Sequence, residues 1–80
     1  MSSKMSDIVE YVAKTLVNEP DEVKVSEDQG DDRLIIHLDV ADGDMGRVIG
    51  RNGRVASAIR SLLKVASIKE DARVGLEIGD

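Results

Sequence analysis

The chain contains no cysteine, tryptophan or phenylalanine, and only one tyrosine, one proline and one histidine. Each shortage closes off a class of protein. Without cysteine there is neither a disulfide framework nor a thiolate metal site, and a Cys–His nucleophile pair cannot form. With Tyr11 as the only aromatic residue, the core has to be aliphatic, and a base-stacking module of the OB kind is unsupported. No apolar run approaches the length of a membrane span. The start, Met1-Ser2-Ser3-Lys4, is polar where a signal peptide would be hydrophobic, so a cytoplasmic location is expected. Eighty residues imply one domain whose core is only just sufficient for independent folding, with residues 1–4 frayed. A sequence pI near 4.7 argues against a protein that coats nucleic acid indiscriminately, but says nothing against a local basic site.

Such a basic site is present in the sequence. Met45 to Lys64 carries Arg47, Arg51, Arg54, Arg60 and Lys64 and no acid, whereas all sixteen acidic residues lie elsewhere. At its centre Gly50-Arg51-Asn52-Gly53 brackets a basic and a polar residue between glycines, which permit positive φ and close approach to a ligand. Val48-Ile49 precedes this turn. Val55, Ile59, Leu62, Leu63 and Ala66 follow at helical spacing. The stretch reads as helix, glycine turn, helix, with the N–H groups at the start of the second helix adding a partial positive end. A helical hairpin with a solvated basic face is the plainer alternative.

Around this stretch the periodicity predicts the remaining elements. Asp7 and Glu10 form a capping box for a helix whose stripe is Ile8, Val12 and Leu16, widened by Val9 and Ala13, and Asn18-Glu19-Pro20 ends it. Val23 and Val25 mark a short strand, Glu27 to Asp32 an acidic loop. Leu34, Ile36, Leu38 and Val40 alternate with Ile35, His37 and Asp39 in a second strand. Ala41 to Asp44 is a turn, with Asp44 capping a short helix over Met45–Ile49; the longer helix runs to about Ser67. Lys69-Glu70-Asp71 is a linker, and Val74, Leu76 and Ile78 make a last strand. The order is α-β-β-α-α-β.

Catalysis finds little support. His37 occupies a sheet-face position, and Asp39, Asp42 and Asp44 are explained by turn formation and capping rather than by a hard metal. The glycines from Gly46 to Gly53 lack the Gly-Lys-Ser/Thr of a P-loop and follow a helix rather than a strand, which excludes a dinucleotide fingerprint. No catalytic residue, metal or cofactor is assigned.

Residues 48–63, VIGRNGRVASAIRSLL, resemble the V-I-G-x-x-G-x-x-x-x-x-I signature of KH domains. The run from Gly53 to Arg60 is similar to the small, stand-alone bacterial RNA-binding proteins of the KhpA family, and the similarity extends over nearly the whole chain. The resemblance implies a type II KH fold: an α/β chain, an α+β sandwich, with a three-stranded sheet covered on one face by three helices. It implies single-stranded RNA as partner, with the GxxG turn clamping the backbone of about four nucleotides. Gly50 and Gly53 then admit the backbone, Arg51 and Asn52 donate, and Arg54 and Arg47 supply charge. Val48 and Ile49, with Ile36 or Leu38, are the candidate groove floor, although core is the alternative for Val48 and Ile49. Where some KH domains carry a large aliphatic residue, this chain has Ala56, which implies a shallower groove. Further implications are a post-transcriptional regulator or RNA chaperone, a homodimer, and pairing with a larger KH-containing RNA-binding protein. The acidic loop would be the variable loop, flanking the groove or merely aiding solubility. The rival reading is a protein-interaction module with a KH fold and little RNA affinity.

Overall fold

The computed structural model describes residues 4–69 and 73–79. Among these, three helices and three strands follow in the order α1 (Lys4–Leu16), β1 (Lys24–Gln29), β2 (Leu34–Asp39), α2 (Met45–Ile49), α3 (Arg54–Lys69) and β3 (Val74–Ile78). The sheet order is β1-β2-β3, antiparallel between β1 and β2 and parallel between β2 and β3. A parallel pair needs a crossover, and α2 with α3 supplies it. The helices therefore lie against one face of the sheet.

Alternation along β2 decides which face. Leu34, Ile36 and Leu38 are buried under the helices, while Ile35 and His37 are only half-buried on the other side. Ile36 meets Leu76 across the parallel pair, and Val9, Val48, Ile59 and Leu63 close over them from the three helices. Full burial of such side chains stabilises by about 1.5–3 kcal/mol each. The expected aliphatic core and element order are present.

The details at α1 differ from expectation. The helix begins at Lys4, so Asp7 lies within its first turn and is not its cap. Its buried stripe is Met5, Val9 and Ala13, and Leu16 is 38% exposed. Both stripes obey i, i+4 spacing. The buried one includes the small Ala13, which lets the helix approach the sheet more closely. It also buries Ser6, whose hydroxyl donates to the Glu27 carboxylate.

β1 is longer than expected and takes Glu27, Asp28 and Gln29 out of the acidic loop. It is an edge strand, and polar residues there remain solvated and discourage pairing with other chains. Gly30 N–H to Arg33 O, at 2.8 Å, closes the hairpin. α3 continues to Lys69; the remainder of the expected linker lies outside the described residues, as do residues 1–3 of the expected frayed start.

Candidate nucleic-acid interface

Between α2 and α3 three of four successive residues have positive φ: Gly50 at 77°, Asn52 at 58° and Gly53 at 75°, with Arg51 the exception. Asparagine is among the few side chains that enter this region readily. Gly50 N–H bonds to Gly46 O at 2.8 Å, ending α2, and Gly53 N–H bonds to Gly50 O at 3.1 Å, tightening the turn.

The two glycines have different roles. A Cβ on Gly50 would lie 2.5 Å from Val55 Cγ2 and 2.8 Å from Val55 N, so this glycine lets the start of α3 pack against the end of α2. A Cβ on Gly53 would meet nothing within 4 Å. The turn is thus closed on the Gly50 side and open at Gly53, where a ligand backbone has room. Arg51, Asn52 and Arg54 are exposed around that opening.

Below the turn the chain is anchored by Asp44, which the sequence marked only as a helix cap. Asp44 is 2% exposed, and its carboxylate accepts Asn18 N–H at 3.1 Å and Glu19 N–H at 3.0 Å. It makes no side-chain cap to α2. Instead it ties the loop after α1 to the start of the helix that carries the turn. Arg47 Nε lies 3.4 Å from the same carboxylate, so Arg47 is partly neutralised. Among the described residues Arg51, Arg54, Arg60 and Lys64 have no carboxylate within ion-pair distance.

A groove of about 520 Å³ opens between α3 and β3. Leu63, Val74 and Leu76 form its apolar lining, with Arg60, Lys64 and Arg73 as its cations. Ser57, Arg60, Lys64 and Ser67 recur at i, i+3, i+7 and i+10 on one face of α3, leading from the turn into this groove. The other wall is the edge of β3. Arg73 O and Gly79 N–H bond to β2, so the alternate residues Val74, Leu76 and Ile78 turn their peptide groups outward. Arg60 Nη2 reaches one of them, Leu76 O, at 3.4 Å.

Residues 6–78 match the family model described as the KH domain of KhpA and KhpB. The chain belongs to this KH family. It is 51% identical over 74 residues to the RNA-binding protein KhpA of Clostridium acetobutylicum, covering 92% of this chain and 99% of that protein. The KhpA of Halalkalibacterium halodurans is 46% identical over 76 residues, covering 95% and 100%. Among solved structures, a crystal structure of an Aquifex aeolicus Era variant with GDP and AlF4− matches with a TM-score of 0.62 at 22% identity. That match spans 94% of this chain but 29% of the other and is a likeness of fold alone; the α-β-β-α-α-β order within a KH family chain is the type II KH arrangement expected.

Within this KH fold the expected site residues separate into two groups. Gly50, Arg51, Asn52, Gly53 and Arg54 lie together at the turn, with Arg47 nearby on α2. The expected groove floor does not hold together. Ile36 and Val48 are 0% exposed and Leu38 is 1% exposed, packed in the core with no surface to offer; Ile49 alone of that set is exposed. The reason is the alternation that identified them: residues facing the helices from the central strand are covered by all three helices. The edge strand β3 leaves room beside α3: Val74 is half-buried there, and Leu63 and Leu76 underlie the groove at 2% and 7% exposure. Periodicity could assign these three to helix and strand, but only the strand order shows that β3 is an edge. His37 faces away from the helices and pairs with Glu77 at 3.0 Å, a sheet-face position.

Proposed function

We propose that this chain binds single-stranded RNA, with the phosphate backbone at the Gly50–Arg54 turn and successive bases along the α3–β3 groove. The observation that carries this reading is the open left-handed turn at Gly53, ringed by Arg51, Asn52 and Arg54. It leads along one helix face into an apolar groove rimmed by Arg60 and Lys64. Relatives 46–51% identical over their whole length are named RNA-binding proteins, and the family is not one of enzymes. An aliphatic floor accepts any base face, the outward peptide groups of β3 can hydrogen-bond base edges, and unpaired cations draw the phosphates in.

The biological role that fits is a cytoplasmic post-transcriptional regulator or RNA chaperone. Among the described residues no helix is long and apolar enough to cross a membrane. Self-association would raise the avidity of so short a site. Leu62, Val65 and Ile68 on α3 are 52%, 62% and 72% exposed and form the apolar face for a homodimer, or for pairing with a larger KH-containing protein. Sedimentation equilibrium should return a dimer in the micromolar range for the wild type and a monomer for Leu62→Asp/Val65→Asp; a strict wild-type monomer refutes the dimer. Fluorescence titration of labelled single-stranded RNA at two salt concentrations tests the binding itself. Saturable binding that weakens steeply with salt is expected. A folded protein that shows no binding at high micromolar concentration would favour a pure protein-interaction module.

A further inference from the structure

We propose that Arg60 is the base-selecting residue of the α3–β3 groove, favouring a base with two neighbouring hydrogen-bond acceptors, cytosine or guanine, over adenine and uracil. The inference rests on the RNA-binding reading above and specifies which bases that groove admits. Arg60 lies seven residues beyond Gly53, about 10 Å along α3 at 1.5 Å per residue. That separation puts it beside the bases rather than at the clamped phosphates. Its guanidinium crosses the groove mouth to Leu76 O at 3.4 Å, well beyond the 2.7–2.9 Å of a strong charge-assisted bond. Among the described residues it has no carboxylate partner.

A guanidinium has five donors and no acceptor, in a rigid planar fork. Most of these donors stay uncommitted, beside the half-buried Val74 and above Leu63 and Leu76, which are 2% and 7% exposed. A base resting there with its edge toward β3 meets the fork first. Guanine offers O6 and N7 side by side, and cytosine offers N3 and O2. Adenine flanks each acceptor on its amino-bearing edges with that donor, and uracil separates its two carbonyls by an N–H. When Arg60 turns to the base, Leu76 O is released to accept an exocyclic amino group, which cytosine carries beside its two acceptors. Lys64, one turn further, is a point charge without the fork and adds attraction but no such choice.

Fluorescence anisotropy with uridine octamers carrying two central cytidines, guanosines, adenosines or uridines tests this assignment. The cytidine and guanosine octamers should bind wild type about tenfold tighter than the other two. Arg60→Lys keeps the charge and removes the fork. In that variant the four affinities should converge to within about twofold, while the melting temperature stays within about 3 °C because the position is exposed. A preference that survives in Arg60→Lys, or equal wild-type affinity for all four octamers, overturns the selector while leaving RNA binding in place. Failure of folded wild type to bind any octamer overturns the RNA-binding reading and the selector with it.

Discussion

Replacing Gly50 by alanine should damage this protein far more than the same change at Gly53, although the two look equivalent in a GxxG pattern. At Gly50 two costs combine. Its φ of 77° and ψ of 172° lie in a region that is essentially glycine-only, which costs a side chain about 1–3 kcal/mol. The new Cβ would also sit 2.8 Å from Val55 N and 2.9 Å from Val55 Cβ, so the first turn of α3 would have to move away from α2. Val55 packs against the core, and that movement loosens its contacts. The sum is about 3–4 kcal/mol, a large part of the roughly 4–12 kcal/mol that holds an 80-residue domain folded. At Gly53 the φ of 75° costs about 1–2 kcal/mol, and no neighbouring atom within 4 Å adds to it. Urea titrations followed by circular dichroism measure both differences. In thermal melts Gly53→Ala should lower the midpoint by about 4–16 °C and Gly50→Ala by about twice as much. Equal losses, or a larger loss at Gly53, would refute the assignment of separate roles to the two glycines.

Three further outcomes follow from the same geometry. Arg51→Asp/Asn52→Asp places two negative charges at the open side of the turn, so RNA affinity should collapse; aspartate also tolerates the left-handed region, so the melting temperature should hold. Asp44→Ala leaves the N–H groups of Asn18 and Glu19 without their acceptor and should cost about 2–4 kcal/mol in urea unfolding, with Asp44→Asn losing less; a neutral Asp44→Ala would mean the anchor is replaceable. Asp32 lies 3.8 Å from Arg73, which lines the groove, so Asp31→Asn/Asp32→Asn should tighten RNA binding at low salt, with a gain that shrinks as salt rises. An equal affinity change at both salt levels would show that the acidic turn does not act through charge.

The order of elements was legible because each segment has one dominant period. Leu34, Ile36 and Leu38 alternate as a strand with one face inward does, Val40 is buried just past the strand's end, and the step from Val55 to Leu63 is helical. The turn was legible because two glycines around a polar pair, between two helical patterns, leave few backbone solutions. Three things were not. The stripe of α1 was only partly legible: Val9 and Ala13 were expected and are buried, but Ile8, Val12 and Leu16 compete at the same spacing with the row that Met5 completes. Packing depth, which favours small residues where the helix touches the sheet, decides between them. The role of Asp44 was hidden because its partners, Asn18 and Glu19, are backbone groups 25 and 26 residues away. The expected groove floor was not legible because an apolar residue next to the glycine turn in sequence need not be near any surface. Val48 and Ile49 are adjacent, yet the first is sealed and the second is exposed.

Amide chemical-shift mapping during titration with a single-stranded RNA octamer shows whether RNA lies from the Gly53 turn along α3 to the outer edge of β3. The largest shifts are expected at residues 50–54 and at Val74, Leu76 and Ile78, whose peptide groups face outward. Ser26 and His37, on the face away from the helices, should scarcely move. Shifts concentrated on that open face or on α1, with the turn amides unmoved by saturating RNA, would contradict that path.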